Sequence, residues 1–443
     1  MKRLKKILKL TGIVLVGLVA IGLVANACFV WITDTRLERQ LAAIRAAGDP
    51  ISLAELAPKP LRPEKDAATY LRRAEAGASA IHKQVEALPQ YWEWFNGKGP
   101  TPAPIQKALK DVFSANPALI PLFQQAAACP DYDAHVDFTV SPGKFLVTAS
   151  PDTQLFRWGI HVLQYRVRLL LAEGNHDEAA RTGLLIARLG RLYERTPFLL
   201  GYLIAITAED AALDALNSIL QTGPVSKAVR DALDAELALR DRTEGYVRVL
   251  KGERAFTIGI LSHSSYREFV SGSPFGNFWL IGRVVWDRRE SEYLDKMQSF
   301  LALLREPLLY CQAEKMIGET DFHASVSGDR SGDLGRHPFH AIPLTFLCEI
   351  RTRAEFRCLR VLNALQTRVP AGSSATPKLN ELGLPAEATI DPFNGEPLHV
   401  KRLPQGWLVY SVGPNFRDDG GNLGYGNDCD VGVGPPPTQP AKK

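Results

Sequence analysis

The longest uninterrupted hydrophobic stretch of the chain lies near its N-terminus. No charged residue occurs between Leu10 and Thr33, and the 23 residues from Leu10 to Ile32 are mostly Leu, Val, Ile, Ala and Gly. A helix of about 20 apolar residues spans the hydrocarbon core of a bilayer. The pattern therefore predicts an N-terminal transmembrane helix, with residues 10–32 in contact with the lipid bilayer.

Farther along the chain, hydrophobic residues recur every three or four positions, which is typical of amphipathic helices. Two such stripes are formed by Leu199, Leu203, Ile206, Leu213, Leu216 and Leu220, and by Val229, Leu233 and Leu237. The Gly223-Pro224 pair separates them, as expected where one helix ends and another begins. Residues 65–370 are therefore predicted to form a body of α-helical hairpins.

The hydrophobic pattern changes its period near the C-terminus. Pro397–Leu403 and Trp407–Val412 are two strand-like runs, joined by Pro404-Gln405-Gly406. A three-residue connection that ends in glycine is common in β-hairpins, because that glycine adopts the left-handed conformation. The predicted fold class is therefore mainly α, with an N-terminal transmembrane helix, an α-helical hairpin body and a small C-terminal β-hairpin module.

Proline- and glycine-rich segments supply the predicted boundaries. Four prolines fall between Pro50 and Pro63, and VPAGSSATP occupies residues 369–377. Such segments disfavour regular secondary structure. The predicted organisation is a basic tip and transmembrane anchor (1–33), a stalk with a Pro-rich linker (34–64), the helical body (65–370), a second linker (371–387), the hairpin with an Asp- and Gly-rich loop (388–434), and a disordered tail (435–443).

The positive charge of the chain is concentrated before the hydrophobic stretch. The net charge is +4, and the first acidic residue, Asp34, is preceded by Lys2, Arg3, Lys5, Lys6 and Lys9. Without those five, 47 basic and 48 acidic residues remain. A nearly neutral body lacks the basic surface of a nucleic-acid-binding protein, so no nucleic-acid partner is expected. The basic cluster favours a single-pass protein of the cell membrane with a cytoplasmic N-terminus and an extracytoplasmic body.

Cleavage is an alternative fate for the N-terminal segment. Ala25-Asn26-Ala27 has the small-x-small form of a signal-peptide cleavage site, and Cys28 follows it, as a lipid-modified cysteine would. Against cleavage, the apolar run continues to Ile32. Each of these alternatives places the body outside the cytoplasm.

One segment of the body, residues 169–197, contains a glycine followed by a Glu-Ala pair. Gly174 can adopt the left-handed geometry that ends a helix, and the small Ala179 and Ala180 allow close helix packing. This segment resembles the inter-helix turn of a tetratricopeptide repeat. Because no 34-residue period is present, the resemblance implies one helical hairpin and no repeat array.

The C-terminal segment carries the turn DPFNGEP at residues 391–397 and then a glycine-rich stretch with several Asp and Asn residues. Over about 45 residues it resembles the C-terminus of the major pseudopilins of type II secretion, which contains a calcium loop. The resemblance implies calcium as a cofactor. Its side-chain ligands would be Asn415 and Asp428 or Asp430, with backbone carbonyls near Ser411. Calcium suits this set because it accepts six to eight oxygen ligands, including carbonyls.

A second group of candidate metal ligands lies in the polar segment 318–340, which contains Asp321, His323, His337 and His340. Imidazole and carboxylate groups bind zinc and other transition metals, so the segment gives the hypothesis of a metal-dependent hydrolase. No two of these histidines have the i, i+4 spacing that directs both at one ion from a helix. A solvated loop explains them equally well.

The sequence contains no convincing catalytic constellation, which favours a non-enzymatic protein. As a whole the chain resembles bacterial membrane-anchored proteins that join a helical body to such a C-terminus. The expected function is an extracytoplasmic scaffold or interaction module with an unidentified protein partner and a calcium-binding C-terminal loop. The metal-dependent hydrolase is one alternative. A role beside a secretion machine is another, and it rests on the C-terminal resemblance.

Overall fold

The computed structural model describes residues 2–97, 99–141, 144–145, 151–241, 243–261, 279–304, 309–317, 341–369, 376–424 and 426–435. Within these ranges the chain forms thirteen α-helices and one small sheet. The helices are α1 (Lys2–Ala46), α2 (Ala67–Glu86), α3 (Tyr91–Asn96), α4 (Ala103–Ala115), α5 (Leu119–Ala128), α6 (Pro151–Ala172), α7 (His176–Tyr193), α8 (Leu199–Thr222), α9 (Lys227–Ala238), α10 (Glu244–Leu261), α11 (Trp279–Leu303), α12 (Tyr310–Ile317) and α13 (Ala341–Arg368). The strands are β1 (His399–Leu403), β2 (Gly406–Ser411) and β3 (Val431–Val433). The mainly helical fold class is therefore confirmed.

The first helix is the longest, with 45 residues, or about 68 Å at 1.5 Å per residue. Its hydrophobic stretch is not buried by any of the described residues, and large side chains such as Phe29 and Trp31 are exposed. Among the described helices, α1 is the one that is long and apolar enough to cross a membrane, as predicted.

The last part of α1 packs against the body of the protein. Its apolar side chains, Leu37, Leu41 and Ile44, join a hydrophobic cluster to which α8, α10, α11 and α13 also contribute. On the polar side, Arg36 pairs with Asp295 of α11. Gln40 accepts a 2.7 Å hydrogen bond from the Ser291 hydroxyl and donates one of 3.2 Å to the Ser291 carbonyl. Since residues 36 and 40 face residues 295 and 291, α1 and α11 are antiparallel.

The proline-rich segment after α1 also lies on the body. Asp49 accepts hydrogen bonds of 2.6 Å from Lys251 and 3.0 Å from Arg254, both on α10. Leu53 is buried in a small cluster with Phe138, Phe145, Phe198 and Phe256. The stalk and linker predicted for residues 34–64 are thus attached to the body. Prolines disfavour regular backbone hydrogen bonding, but they do not prevent burial.

Helices α6, α7 and α8 form the centre of the larger hydrophobic cluster. Gly174 lies in the turn between α6 and α7 and has a left-handed backbone, with a φ of 73°. Asn175 caps α7 by accepting a 3.3 Å hydrogen bond from the Glu178 amide. Helices α7 and α8 approach closely, since a Cβ built on Gly183 would lie 2.8 Å from Leu216 Cδ2. Residues 169–197 therefore contain a helix, a turn and a helix, as predicted.

Helix α13 connects the helical body to the C-terminal sheet. It packs against α8 and α9 on the body side and against β2 and β3 on the other. Arg357 forms a 2.7 Å ion pair with Asp241, and Arg360 forms one of 2.9 Å with Asp234. Phe356 and other apolar residues of α13 are buried in the larger cluster.

The sheet has the order β1-β2-β3 and is antiparallel throughout. The predicted hairpin is β1 and β2, with Val400 opposite Val409. The short third strand was not predicted, and it places Gly432 opposite Tyr410. A Cβ on Gly432 would lie 2.2 Å from the Val409 carbonyl oxygen, so β3 requires glycine at this position to pair with β2.

Candidate functional site

The turn that begins the C-terminal module is built around the buried carboxylate of Asp391. This carboxylate accepts hydrogen bonds of 2.8 Å from the Phe393 amide, 2.8 Å from the Ser411 hydroxyl and 2.9 Å from the Val412 amide. Burial raises the pKa of Asp391, while these three donors and His399 act in the opposite direction. The aspartate of the DPFNGEP turn therefore ties the turn to the end of β2.

Ser411, one of the predicted calcium-loop residues, is completely buried beside this turn. Its hydroxyl donates to Asp391 and accepts a 3.1 Å hydrogen bond from the Gly413 amide. The hydroxyl is thus engaged with the protein itself. The resemblance implied that backbone carbonyls near Ser411 bind the ion. The hydrogen bonds of the Ser411 hydroxyl do not involve those carbonyls, so they do not test this prediction.

Asp430, the second predicted ligand, is buried under the glycine-rich loop. Its carboxylate accepts hydrogen bonds of 2.7 Å from the Gly421 amide and 3.3 Å from the Asp419 amide. Gly421 has a φ of 85°, and a Cβ there would lie 2.4 Å from Leu408 Cδ2. The loop therefore folds over Asp430 because glycine allows both the left-handed backbone and the close approach to β2.

The remaining two predicted ligands lie nearer the surface. Asn415 accepts a 3.0 Å hydrogen bond from the Arg417 amide and donates one of 2.8 Å to Asp419. Asp428 is exposed. Among the described residues, no group of three or more His, Cys, Asp and Glu side chains is placed to hold a metal ion.

An arginine from the helical body contacts the same loop. Arg351 of α13 donates hydrogen bonds to the carbonyl oxygens of Gly424 and Gly426, the second over 3.4 Å. A guanidinium cation therefore already contacts two carbonyls of the loop. Arg351 was not predicted from the sequence, because more than seventy residues separate it from these glycines.

The other predicted metal site belongs to the polar segment 318–340. Asp321, His323, His337 and His340 all lie outside the described residues.

A second concentration of ionisable side chains lines a cavity of about 210 Å³ between α7, α8, α10 and α13, here called the charged cavity. Arg240 pairs with Glu209 and, over 2.8 Å, with Glu194. Arg353 pairs with Glu349 over 2.6 Å. These side chains are mostly buried, and each of the two arginines has a carboxylate partner, although Arg353 Nε makes no hydrogen bond to the described residues.

A tyrosine completes the wall of the charged cavity. The Tyr202 hydroxyl donates to Glu349, and burial together with that carboxylate raises the pKa of Tyr202 well above its usual value. Tyr202 therefore stays protonated and acts as a hydrogen-bond donor. The hydrogen bond between Tyr202 and Glu349 joins α8 to α13 across the cavity wall.

No protein-family model matches the chain, and neither a curated protein nor a solved structure shows significant similarity to it.

Proposed function

We propose that the protein is a non-catalytic scaffold, anchored in the cell membrane by α1, that holds its helical body at a fixed position outside the cytoplasm for a protein partner. The observation that carries this proposal is the continuity of α1 from its apolar stretch into the part that packs on α11. From Ile32 to Ala46 the helix rises about 21 Å, so the body would lie next to the bilayer surface.

The orientation of the scaffold follows from charge. The five basic residues before Leu10 would remain in the cytoplasm, and the body would be translocated. Alkaline phosphatase, which is active only outside the cytoplasm, can be fused after Lys443. We expect an active fusion, and we expect replacement of the five basic residues by glutamine to lower the activity. An inactive fusion of the unmodified chain would contradict the proposed location.

The fixed position of the body can be tested through the contact between α1 and α11. In membranes, a short bis-maleimide should cross-link the double variant Gln40→Cys/Ser291→Cys, because the hydrogen bond between the two native side chains keeps the two positions close together. The matched control is Gln40→Cys with Asp231→Cys, which places the second cysteine on the exposed face of α9. Equal cross-linking of both pairs would show a body that moves freely on its anchor.

Calcium binding by the C-terminal loop remains a prediction from the resemblance, and one observation supports it. Burial raises the pKa of Asp430, and the nearby carboxylates of Asp419 and Asp418 raise it further. A cation would relieve this repulsion between like charges. The alternative of a metal-dependent hydrolase gains no such support, because its four residues lie outside the described ranges.

The calcium prediction is tested by the melting temperature of the full chain in detergent, with calcium and with chelator. A bound ion stabilises the folded state by about 2.7 kcal/mol at one hundred times its dissociation constant. We expect a rise of several degrees, reduced in Asp428→Asn. Equal melting temperatures in calcium and chelator would refute the prediction.

A further inference from the structure

The sheet of the C-terminal module has an open edge at β1. Its order is β1-β2-β3, so among the described strands β1 has a neighbour on one side only. Leu403 lies opposite Gly406 across a two-residue loop, and the two residues of such a closing pair exchange both hydrogen bonds. Because this pattern alternates along an antiparallel pair, Val400 and Arg402 direct their N–H and C=O groups away from β2.

A neighbouring segment confirms this direction and then leaves the edge. The Leu398 amide donates a 2.9 Å hydrogen bond to the Thr389 carbonyl, on the side of the strand that faces away from β2. The chain before this contact is a short 3₁₀ helix, Ala386–Thr389, which does not continue the pairing. Farther along the strand, the backbone groups of Val400 and Arg402 form no hydrogen bond with any described residue.

A cavity of about 430 Å³ lies along the same edge and is here called the edge cavity. Val400, Leu398 and Thr389 line it on the side of the sheet, and residues 377–380 line it on the opposite side. Successive side chains of a strand point to opposite faces of a sheet. A strand that paired with Val400 would therefore direct every second side chain toward the edge cavity.

The charge around the open edge is positive. β1 contains His399, Lys401 and Arg402 and no acidic residue, and Lys378 is the charged residue of the cavity lining. Lys401 and His399 lie 4.0 and 3.7 Å from Asp418, whereas neither Lys378 nor Arg402 forms an ion pair with a described carboxylate. A second copy of the chain, paired through the same edge, would bring like charges together, which disfavours such a dimer.

We propose that the open edge of β1 binds an extended acidic segment of a protein partner, which joins the sheet as a fourth strand. The backbone of that segment would pair with Val400 and Arg402, and an apolar side chain would enter the edge cavity. Its carboxylates would lie near Arg402 and Lys378, since oppositely charged neighbours stabilise a pair of strands. This inference deepens the proposed scaffold function, because it gives the chemistry of the partner.

The test measures binding of a fluorescently labelled hexapeptide of alternating glutamate and valine to the full chain in detergent, by fluorescence polarisation. We expect saturable binding. The same peptide with all its amide nitrogens methylated cannot pair as a strand, and a peptide of alternating lysine and valine carries the opposite charge, so both should lose binding. No binding of the acidic peptide, or equal binding of either control peptide, would overturn the proposal.

Two variants show whether the peptide binds at the open edge. Val400→Pro removes an N–H that faces away from β2, and Arg402→Glu reverses a charge. We expect each to weaken binding about fivefold. Lys107→Glu makes the same charge change at an exposed position of α4 and should leave binding unchanged. Unchanged binding in either edge variant would overturn the proposal. If Val400→Pro does not fold, Arg402→Glu decides, since its side chain is exposed.

The mass of the chain in detergent, from light scattering, tests whether a second copy occupies the edge instead. We expect equal masses for the unmodified chain and Val400→Pro. A dimer that Val400→Pro converts to a monomer would show that the proposal is wrong. Peptide binding in detergent does not depend on membrane orientation. Its failure is therefore distinct from an inactive phosphatase fusion, which would contradict the proposed location of the body.

Discussion

The charged cavity and a cavity of about 240 Å³ between α6 and α8, here called the acidic cleft, are similar in size but differ in how closely their ionisable side chains are paired. In the charged cavity, Arg240 is paired with two glutamates and Arg353 with a third. In the acidic cleft, His161 Nδ1 has no partner among the described residues, and Asp210 lies beside a second carboxylate. The comparison teaches that the residue types in a cavity wall do not identify a binding site. A missing hydrogen bond does not identify one either, since Arg353 Nε in the charged cavity and His161 Nδ1 in the acidic cleft are both buried without a partner among the described residues.

The largest effect is expected where a fully compensated charge is removed. Arg240→Ala would leave Glu209 and Glu194 buried without their common partner, and breaking a buried pair in this way costs about 3–5 kcal/mol. Denaturant unfolding of the full chain in detergent measures the loss. The matched control is Lys227→Ala, which breaks an exposed pair with Asp231 and should change stability by less than about 0.5 kcal/mol. Similar losses in both variants would mean that the charged cavity is not a structural network.

A smaller loss of stability is expected on substitution of Asp391, a buried carboxylate that accepts three hydrogen bonds. Asp391→Ala would leave two backbone amides and the Ser411 hydroxyl without their acceptor, at a cost of about 2–4 kcal/mol. Asp391→Asn should lose less, because its carbonyl oxygen still accepts from Phe393 and Ser411. The free energy of unfolding of both variants checks this order. An alanine variant as stable as the unmodified chain would show that the turn does not depend on Asp391.

The smallest change in stability is expected on substitution of Asp210, and here we expect a gain in stability instead of a loss. Its pKa is about 6 in the folded protein and near 3.8 when unfolded, so the folded state binds more protons between these values. Stability therefore falls as the pH rises from about 4 to about 6, and the loss persists at neutral pH. Asp210→Asn should be more stable by about 1 kcal/mol at pH 7.5, a figure reduced for the partial exposure of the side chain.

The pH dependence separates this explanation from a general effect of the substitution. Asp210→Asn should show a flatter stability profile between pH 4 and pH 6, and it should match the unmodified chain near pH 4. A constant stabilisation at every pH, or a destabilisation at pH 7.5, would show that the carboxylate of Asp210 is compensated after all.

Local sequence pattern was sufficient for the helices and the hairpin. The stripes that contain Leu216 and Leu233 are buried on α8 and α9 except for Leu203, which is exposed, and the loop before Trp407 connects β1 to β2. These features depend on neighbours a few residues apart, which a linear pattern contains. The third strand escaped prediction because Val431–Val433 is three residues long and pairs only where Gly432 meets the backbone of β2.

The candidate sites depended on contacts that no linear pattern contains. His161 and Asp210 belong to different helices with no shared motif, and Arg351 reaches the C-terminal loop from α13. The resemblance offered Asp430 as one of two alternative calcium ligands, and only the structure shows that it accepts hydrogen bonds from the amides of Asp419 and Gly421. Which groups compensate a charge is decided when distant elements pack together.

By itself, the sequence determined that this protein has a long apolar N-terminal helix, a helical body and a small C-terminal β module. These follow from hydrophobic spacing and from glycine and proline, whose conformational limits act within a few residues. Only the tertiary structure decided that the predicted stalk lies on the body, that Arg240 is paired with two glutamates, and that His161 Nδ1 is buried without a hydrogen bond to the described residues. Burial and charge pairing are properties of the packed chain, because desolvation and Coulomb energy depend on distances in space.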